Sequence, residues 1–213
     1  MPDESTISFK VAECLLQIKA IKLNVQNPFT WASGWRSPIY CDNRKLLSYP
    51  EVRDFVINSF VDKIKVDFPN VNAIAGVATA GIALAALIAD RMKLPMIYVR
   101  SKPKAHGLGQ SIEGAILPDM NVVVIEDLIS TGSSSLQAIK ELREADINVL
   151  GLGAIFSYAF DKARDSFENS ECTFFTLSDY HALTELALKE ELIKEADIDQ
   201  IKAWREDPAM WNQ

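Results

Sequence analysis

Residues 122–134 combine acidic, hydroxyl and glycine residues directly after an apolar run, reading Val-Val-Val-Ile-Glu-Asp-Leu-Ile-Ser-Thr-Gly-Ser-Ser. Four β-branched residues without alternation predict a strand that is covered on both faces, as in a parallel sheet. The hydroxyl-rich turn that follows would open a helix, where free backbone N–H groups suit a phosphate monoester. Glu126 and Asp127 would repel that phosphate unless they bind sugar hydroxyls or a metal ion carried by the ligand. A phosphorylated ribose satisfies both demands.

Two other interpretations of this segment are less favourable. An ordinary polar turn between a strand and a helix would leave the acidic pair beside the hydroxyls unexplained. A Walker-type phosphate loop requires Gly-Lys-Ser or Gly-Lys-Thr, and the chain contains neither.

A second candidate for anion binding is the run from Gly76 to Gly81, Gly-Val-Ala-Thr-Ala-Gly, between a predicted strand and a predicted helix. Small residues let a backbone approach an anion closely, and the helix contributes its positive end. The same residues also serve tight packing of a helix on a strand, so this motif alone leaves both interpretations open.

A third motif concentrates positive charge in an acidic protein of net charge −7. Arg100, Lys102, Lys104 and His106 fall within seven residues, and Gly107 follows. One interpretation is a solvated basic loop. The other is a lid that closes over an anionic ligand and neutralises a leaving group, with glycine supplying hinge freedom.

Composition limits the class of protein. The chain has 213 residues, 48% of them hydrophobic, which suits a single domain, residues 1–213. An acidic chain is a poor general ligand for nucleic acid, and no apolar run approaches the roughly 20 residues that span a bilayer. The first residues lack the features of a signal peptide. Three cysteines without a C-x-x-C pair favour reduced thiols. We therefore expect a cytoplasmic protein with neither membrane nor nucleic-acid partners.

Hydrophobic periodicity predicts alternating helices and strands. Helices are predicted at residues 6–23, from Pro50 through 64, and at 81–92, 133–144, 181–191 and 194–204, and strands near 39–41 and at 73–77, 96–99, 122–125, 148–156 and 173–177. The pattern indicates an α/β core over residues 50–178, with a mostly parallel sheet and helices on both faces. Residues 1–48 would form an N-terminal helix and a small cap, which the C-terminal helices of residues 179–213 would join. All three motifs would then lie at the carboxyl ends of strands, where such sheets bind ligands.

Residues 122–134 resemble, at all 13 positions, the 5-phosphoribosyl-1-pyrophosphate (PRPP) motif of the type I phosphoribosyltransferases. Two further runs narrow the resemblance. Lys-Pro-Lys-Ala-His-Gly at 102–107, followed by Gln-Ser-Ile-Glu-Gly at 110–114, and the segment from Phe29 to Arg44 resemble the catalytic loop and the hood of the orotate phosphoribosyltransferases. The likeness extends from about residue 26 to 160.

The resemblance implies a type I phosphoribosyltransferase fold with a hood, and transfer of the phosphoribosyl group from PRPP to orotate in pyrimidine (UMP) biosynthesis. Mg²⁺ is the implied cofactor, held mainly by PRPP, with Asp127 able to help through water. A homodimer that shares the loop at 100–113 across subunits is also implied.

The resemblance further assigns roles to individual residues. Lys104, His106 and Asp127 would be catalytic, and Thr79, Ala80 and Gly81 would form the pyrophosphate loop. The residues expected to bind PRPP are Arg100, Lys102, Lys104, His106, Glu126, Asp127, Ser130, Thr131, Gly132, Ser133 and Ser134. Those expected to contact orotate are Arg44, Tyr40, Ser130 and Phe156, with Phe29, Arg36 and Tyr158 as further candidates.

Two positions depart from the pattern, because Ala32 and Ala80 stand where some members carry lysine. We infer that Arg44 would meet the orotate carboxylate instead, although it is equally a candidate for a surface charge. Two other functions stay open at this point: a phosphoribosyltransferase for a purine base, and a PRPP-sensing regulator without catalysis.

Overall fold

A computed structural model describes residues 6–31, 33–100 and 111–211 of the chain. Its strands are β1 (Ile21–Leu23), β2 (Phe29–Thr30), β3 (Arg36–Ser37), β4 (Ile39–Cys41), β5 (Ala73–Val77), β6 (Met96–Val99), β7 (Ile112–Glu113), β8 (Asn121–Ile129), β9 (Asn148–Ser157) and β10 (Phe174–Asp179). Its α-helices are α1 (Ile7–Gln17), α2 (Pro50–Asp67), α3 (Ala80–Met92), α4 (Ser133–Glu144), α5 (Asp161–Asn169), α6 (Tyr180–Lys189) and α7 (Glu195–Glu206), and a 3₁₀ helix covers Asn43–Ser48.

The main sheet of the described residues has six strands in the order β10-β9-β8-β5-β6-β7. Every neighbouring pair is parallel except β6 and β7, which are antiparallel. The predicted mostly parallel sheet is therefore confirmed. Residues 122–125 of the central strand β8 have no exposed surface, because both faces of this strand are covered.

Two apolar clusters lie on opposite faces of the sheet. Val123 and Ile125 point into the cluster formed with α1, α2 and α3, whereas Val122 and Val124 point into the cluster formed with α4 and α5. This alternation follows from the two-residue period of a strand. Helices therefore cover both faces, as predicted.

The N-terminal helix is shorter than predicted. It ends at Gln17 rather than continuing to residue 23, and Ile21 already begins β1. Lys19 adopts a positive φ of 55°, and the Ala20 N–H donates to the carbonyl of Leu15 at 2.9 Å. A left-handed residue just past the helix ends it and satisfies a terminal carbonyl.

One helix, α5, was not predicted at all. Its buried side chains are only Ala163 and Phe167, which is too sparse an apolar stripe to stand out by periodicity. Strand β8 is also longer than predicted, since it continues past the acidic pair to Ile129.

A small hood is built from the N-terminal segment. Strand β1 pairs with β4, and β2 pairs with β3, both antiparallel. The C-terminal helix α7 supports this hood, because Trp204 packs against Trp31. No helix among the described residues is long and apolar enough to cross a membrane.

Candidate active site

The described parts of the three motifs lie at one edge of the sheet. Strand β5 lies between β6 and β8, parallel to both. The turn after Val77, the segment after Val99 and the acidic pair of β8 therefore emerge side by side, with strands about 4.8 Å apart. This arrangement follows from strand order alone, and it puts the described parts of the motifs at the carboxyl ends of the strands.

The turn at 130–134 leads into the N-terminus of α4, which begins at Ser133. Gly132 has a φ of 78°, and a Cβ there would lie 2.7 Å from Cε2 of Phe167. Glycine is thus required both for its conformation and for space. Oγ of Ser133 and Oγ1 of Thr131 are 3.0 Å apart. The free N–H groups of this helix end and the surrounding hydroxyls form a suitable cradle for a phosphate.

The acidic pair carries less negative charge than its sequence suggests. Glu126 is buried and accepts a hydrogen bond from the backbone N–H of Asp127 at 3.0 Å. Burial, followed by the charge of Asp127, raises the pKa of Glu126 to about 9. Burial also raises the pKa of Asp127, while its interactions with Glu126 and Arg44 lower it. Both carboxyl groups have raised pKa values and the larger shift is that of Glu126, so Glu126 is the preferred site for a proton held by this pair.

The turn after β5, which is bounded by glycines, packs closely against β8 at one end and leaves other residues accessible to solvent. A Cβ on Gly81 would lie within van der Waals overlap of the Ile125 carbonyl, so α3 rests directly on β8. Thr79 is exposed and Ala80 half-buried. Of the two interpretations of this motif, packing fully explains Gly81, while Thr79 and Ala80 remain accessible for an anion.

The described residues also fix the base of the basic loop. The N–H of Arg100 donates to the carbonyl of Ser111 at 2.8 Å. Its guanidinium forms an ion pair with Glu113 at 3.4 Å. The other three cationic positions, Lys102, Lys104 and His106, lie outside the described residues.

A pocket of about 450 Å³ opens between the hood and the end of β8. It is lined by Thr30, Trp31, Tyr40, Cys41, Leu128, Ser130 and Tyr158. The indole N–H of Trp31 donates to the carbonyl of Ile39 at 3.1 Å, which fixes the ring in the wall. Burial raises the pKa of the Tyr158 phenol well above its usual range, so that it stays neutral. An apolar, aromatic slot with few polar groups suits a flat heterocycle.

The residues predicted to contact orotate divide into two groups. Tyr40, Ser130 and Tyr158 line the pocket. Phe156 does not, because it has no exposed surface and lies in the core, where its ring meets that of Tyr158 edge-on. We therefore withdraw Phe156 as a direct contact.

Arg44 lies outside the lining of the pocket. Its side chain is 65% exposed and pairs with Asp42 at 2.7 Å. Its guanidinium nevertheless acts on Asp127 electrostatically. Reaching a ligand carboxylate would require Arg44 to exchange this exposed ion pair, which is worth little.

Four lining residues were not assigned from the sequence: Thr30, Trp31, Cys41 and Leu128. The first three belong to the hood motif. The sequence therefore identified their segment, but not which of its side chains face the pocket. Leu128 was missed because β8 ends at Ile129, four residues beyond the predicted end of this strand at Ile125.

No group of three or more His, Cys, Asp or Glu residues arranged to hold a metal occurs in the described part of the chain. A divalent cation at this site would thus take oxygen atoms from the ligand, with the Asp127 carboxylate as a candidate protein group to hold it. Such shared coordination is usual for Mg²⁺ with phosphate ligands.

Comparison with known proteins agrees with this geometry. Residues 47–191 match the family model described as Phosphoribosyl transferase domain. A curated relative from Bacteroides thetaiotaomicron named "Orotate phosphoribosyltransferase" is 52% identical over 94% of this chain and 95% of its own length. One of the same name from Listeria innocua is 49% identical over 98% of this chain and 100% of its own length.

Solved structures give the same result for the fold. Leishmania donovani UMP synthase superposes with a TM-score of 0.76 at 28% identity, over 93% of this chain but 42% of that longer chain. Orotate phosphoribosyltransferase from Aeropyrum pernix superposes with a TM-score of 0.74 at 26% identity, over 86% of this chain and 99% of that chain. With about half of its residues identical to these relatives over nearly its whole length, the chain belongs to the orotate phosphoribosyltransferase family, which has the type I phosphoribosyltransferase fold.

Proposed function

We propose that the chain transfers the 5-phosphoribosyl group from Mg²⁺-bound PRPP to orotate, giving orotidine 5′-monophosphate and pyrophosphate in UMP biosynthesis. The observation that carries this proposal is the position of the aromatic hood pocket. It shares Ser130 with the phosphate turn, and two of its lining residues, Cys41 and Tyr158, lie close enough to Asp127 to interact with it electrostatically. A heterocycle in the pocket would therefore lie next to a ribose whose phosphate occupies the turn.

The substrate groups can be placed along the sheet edge in order. The 5′-phosphate belongs at residues 130–134, the ribose over Asp127, and the pyrophosphate toward Thr79 and the basic loop. The orotate nitrogen forms the new bond to C1′ as the bond from C1′ to the pyrophosphate oxygen breaks, and the proton of that nitrogen passes to the departing pyrophosphate, the base that the same step releases. No side chain needs to form a covalent intermediate.

Electrostatics of the acidic pair supports this placement. As the bond to pyrophosphate lengthens, the ribose ring gains positive charge, and the ionised Asp127 stabilises it. Glu126, which retains its proton, can donate a hydrogen bond to a ribose hydroxyl rather than add a second negative charge near the phosphates.

The leaving group gains negative charge in the same step. Arg100, Lys102, Lys104 and His106 would neutralise it from the loop. Mg²⁺ supplies charge neutralisation at the pyrophosphate oxygens when bound, and PRPP itself would provide most of its ligands, with Asp127 contributing through water.

A homodimer in which the loop at 100–113 of one subunit closes over the site of the other belongs to the same proposal. Its support is the resemblance of the loop, together with the location of its base. Strand β7, which follows the loop, is the outermost strand on its side of the six-stranded sheet, so the base of the loop lies at the periphery of the described fold.

The test is loss of orotate absorbance with PRPP and Mg²⁺, with adenine, hypoxanthine and uracil assayed in parallel. Consumption of orotate that requires both PRPP and Mg²⁺ is expected. Turnover of a purine but not of orotate would instead establish the purine-type alternative. PRPP binding without turnover of any base would favour the sensing regulator.

A further inference from the structure

Asn43 links the hood to the ribose side of the site. It is 1% exposed and begins the 3₁₀ helix that follows β4. Its Nδ2 donates to the backbone carbonyl of Asp127 at 2.7 Å. Its Oδ1 accepts from Sγ of Cys41 at 3.2 Å. One carboxamide therefore contacts a residue that lines the pocket and the backbone of the residue assigned to the ribose.

Both polar ends of this carboxamide are used, and only an amide supplies both at this length. Shortening the side chain removes both contacts. An aspartate retains the acceptor but, when ionised, loses the donor and places its negative charge against the partial negative charge of the Asp127 carbonyl oxygen. In either case the partly buried carbonyl of Asp127 loses this hydrogen bond.

The position of this link has a catalytic consequence. The base occupies a pocket built largely from the hood, whereas the ribose is held by β8 and the turn after it. Reacting atoms must approach within about 3–3.5 Å, and a misplacement of about 1 Å can lower the rate roughly 10²-fold. A rigid connection between the two halves fixes this distance.

We propose that Asn43 is a positioning residue, which sets the hood pocket against Asp127 so that the base nitrogen reaches C1′ of the ribose. This inference rests on the proposed function. Asn43 acts through Cys41 and the backbone of Asp127, and it need not touch either substrate.

The chain offers a matched control at the opposite end of the same strand. Asn72 donates from Nδ2 to the carbonyl of Asp119 at 2.9 Å, and its Oδ1 accepts from the N–H of Asn121 at 2.7 Å. It too bridges distant backbone segments, but it does so at the amino end of β8, away from the site. Asn72→Asp therefore makes the same replacement at a bridging amide away from the site, although Asn72 is solvent-exposed and Asn43 is buried.

The experiment compares Asn43→Asp, Asn43→Ser and Asn72→Asp in the full chain. For each, kcat and the orotate KM are measured well below the melting temperature, and the Kd of PRPP with Mg²⁺ is measured by calorimetry. Both Asn43 variants are expected to lower kcat/KM for orotate about 10- to 100-fold, with the PRPP Kd within about threefold of the parent. Asn72→Asp is expected to lower only the melting temperature.

The outcomes separate the two proposals. If the parent chain converts no orotate, the proposed function fails and this inference fails with it. If the parent is active but Asn43→Ser keeps parental kcat and KM, or loses no more than Asn72→Asp at equal loss of stability, only the positioning role is overturned. The Asn43→Ser side chain is uncharged and smaller than asparagine. This variant therefore tests the positioning role if Asn43→Asp does not fold.

Discussion

Trp204, on the C-terminal helix, meets Trp31 of the hood edge-on, with 5.8 Å between the ring centroids and an angle of 87° between the rings. Trp204 has no exposed surface and also packs edge-on against Tyr158 at 5.5 Å. Trp31 and Tyr158 are both walls of the pocket. The last helix of the chain therefore supports the pocket from behind without lining it.

Substitution of Trp204 should weaken both the fold and orotate binding. Trp204→Ala removes a fully buried aromatic ring and is expected to lower the free energy of unfolding by about 3–5 kcal/mol. Because the two wall residues lose their support, the orotate KM should rise more than the PRPP KM. Trp204→Phe, which keeps an aromatic ring, should change the stability and the orotate KM in the same directions but by smaller amounts. Equal changes in both KM values would contradict a specific effect on the pocket.

The two members of the acidic pair should respond differently to amide substitution. Glu126 is expected to hold its proton at neutral pH, so Glu126→Gln resembles the native state and should lower kcat by less than about tenfold. Asp127→Asn removes the charge that stabilises the ribose cation and should lower kcat by about 100-fold or more. Steady-state kinetics at pH 7 measure both. A larger loss for Glu126→Gln than for Asp127→Asn would reverse the assignment of the charge.

The raised pKa of Glu126 also predicts how stability depends on pH. Its pKa rises from an ordinary 4.5 to about 9, so between these values the folded chain binds a proton that the unfolded chain has released. The contribution of this group to stability is thus fully present below about pH 4.5 and is lost as the pH rises toward 9.

Urea unfolding of the parent and of Glu126→Gln at pH 6 and pH 8 isolates this contribution. The parent should lose about 2–3 kcal/mol relative to the variant over this interval of two pH units, since a full proton difference amounts to about 1.4 kcal/mol per pH unit. A constant difference between the two proteins would show that Glu126 is already ionised at pH 6.

The order of helices and strands could be predicted from the sequence because it follows from local hydrophobic periodicity. The edge of the sheet that holds the site could be predicted because the polar and charged motifs directly follow predicted strands. Strand β6 and helix α4 have the predicted bounds. The contacts within the pocket could not be predicted in the same way. Phe156 and Tyr158 lie two residues apart on and just after β9, and only the fold decides which of them faces the hood.

Contacts between residues that are distant along the chain could not be predicted from the sequence either. Nothing local indicates that Asn43 bonds to the backbone of Asp127, or that Trp204 packs on Trp31, since these pairs are distant along the chain and depend on how the hood docks. The ion pair of Arg44 with Asp42 joins residues that are close in sequence. The exposure of these two side chains nevertheless depends on how the hood packs on the core.

Arg44 gives a test of how the orotate carboxylate is recognised. If this guanidinium leaves Asp42 to meet the carboxylate, Arg44→Ala should raise the orotate KM about tenfold or more while the PRPP KM stays constant, and tenfold corresponds to about 1.4 kcal/mol. Lys45→Ala is the matched control, because it removes the same charge one residue away, where Lys45 donates to the carbonyl of Lys19. If the two variants change the orotate KM equally, Arg44 acts only as a general surface charge.

The basic loop makes the last prediction, which concerns both chemistry and assembly. Lys104→Ala and His106→Ala should each lower kcat strongly, because each removes a positive charge that would neutralise the leaving group. The melting temperature checks that each variant keeps its fold. If the loop serves the partner's site, a Lys104→Ala dimer and an Asp127→Ala dimer are each inactive, but a mixed dimer has one site with a native loop and a native Asp127. Random exchange of equal amounts should then restore about a quarter of parental activity, because half of the dimers are mixed and each has one intact site of two. Subunit exchange is verified with differently tagged chains. If exchange is complete and activity stays absent, the loop acts within its own subunit, since every site would then contain either the defective loop or the defective carboxylate.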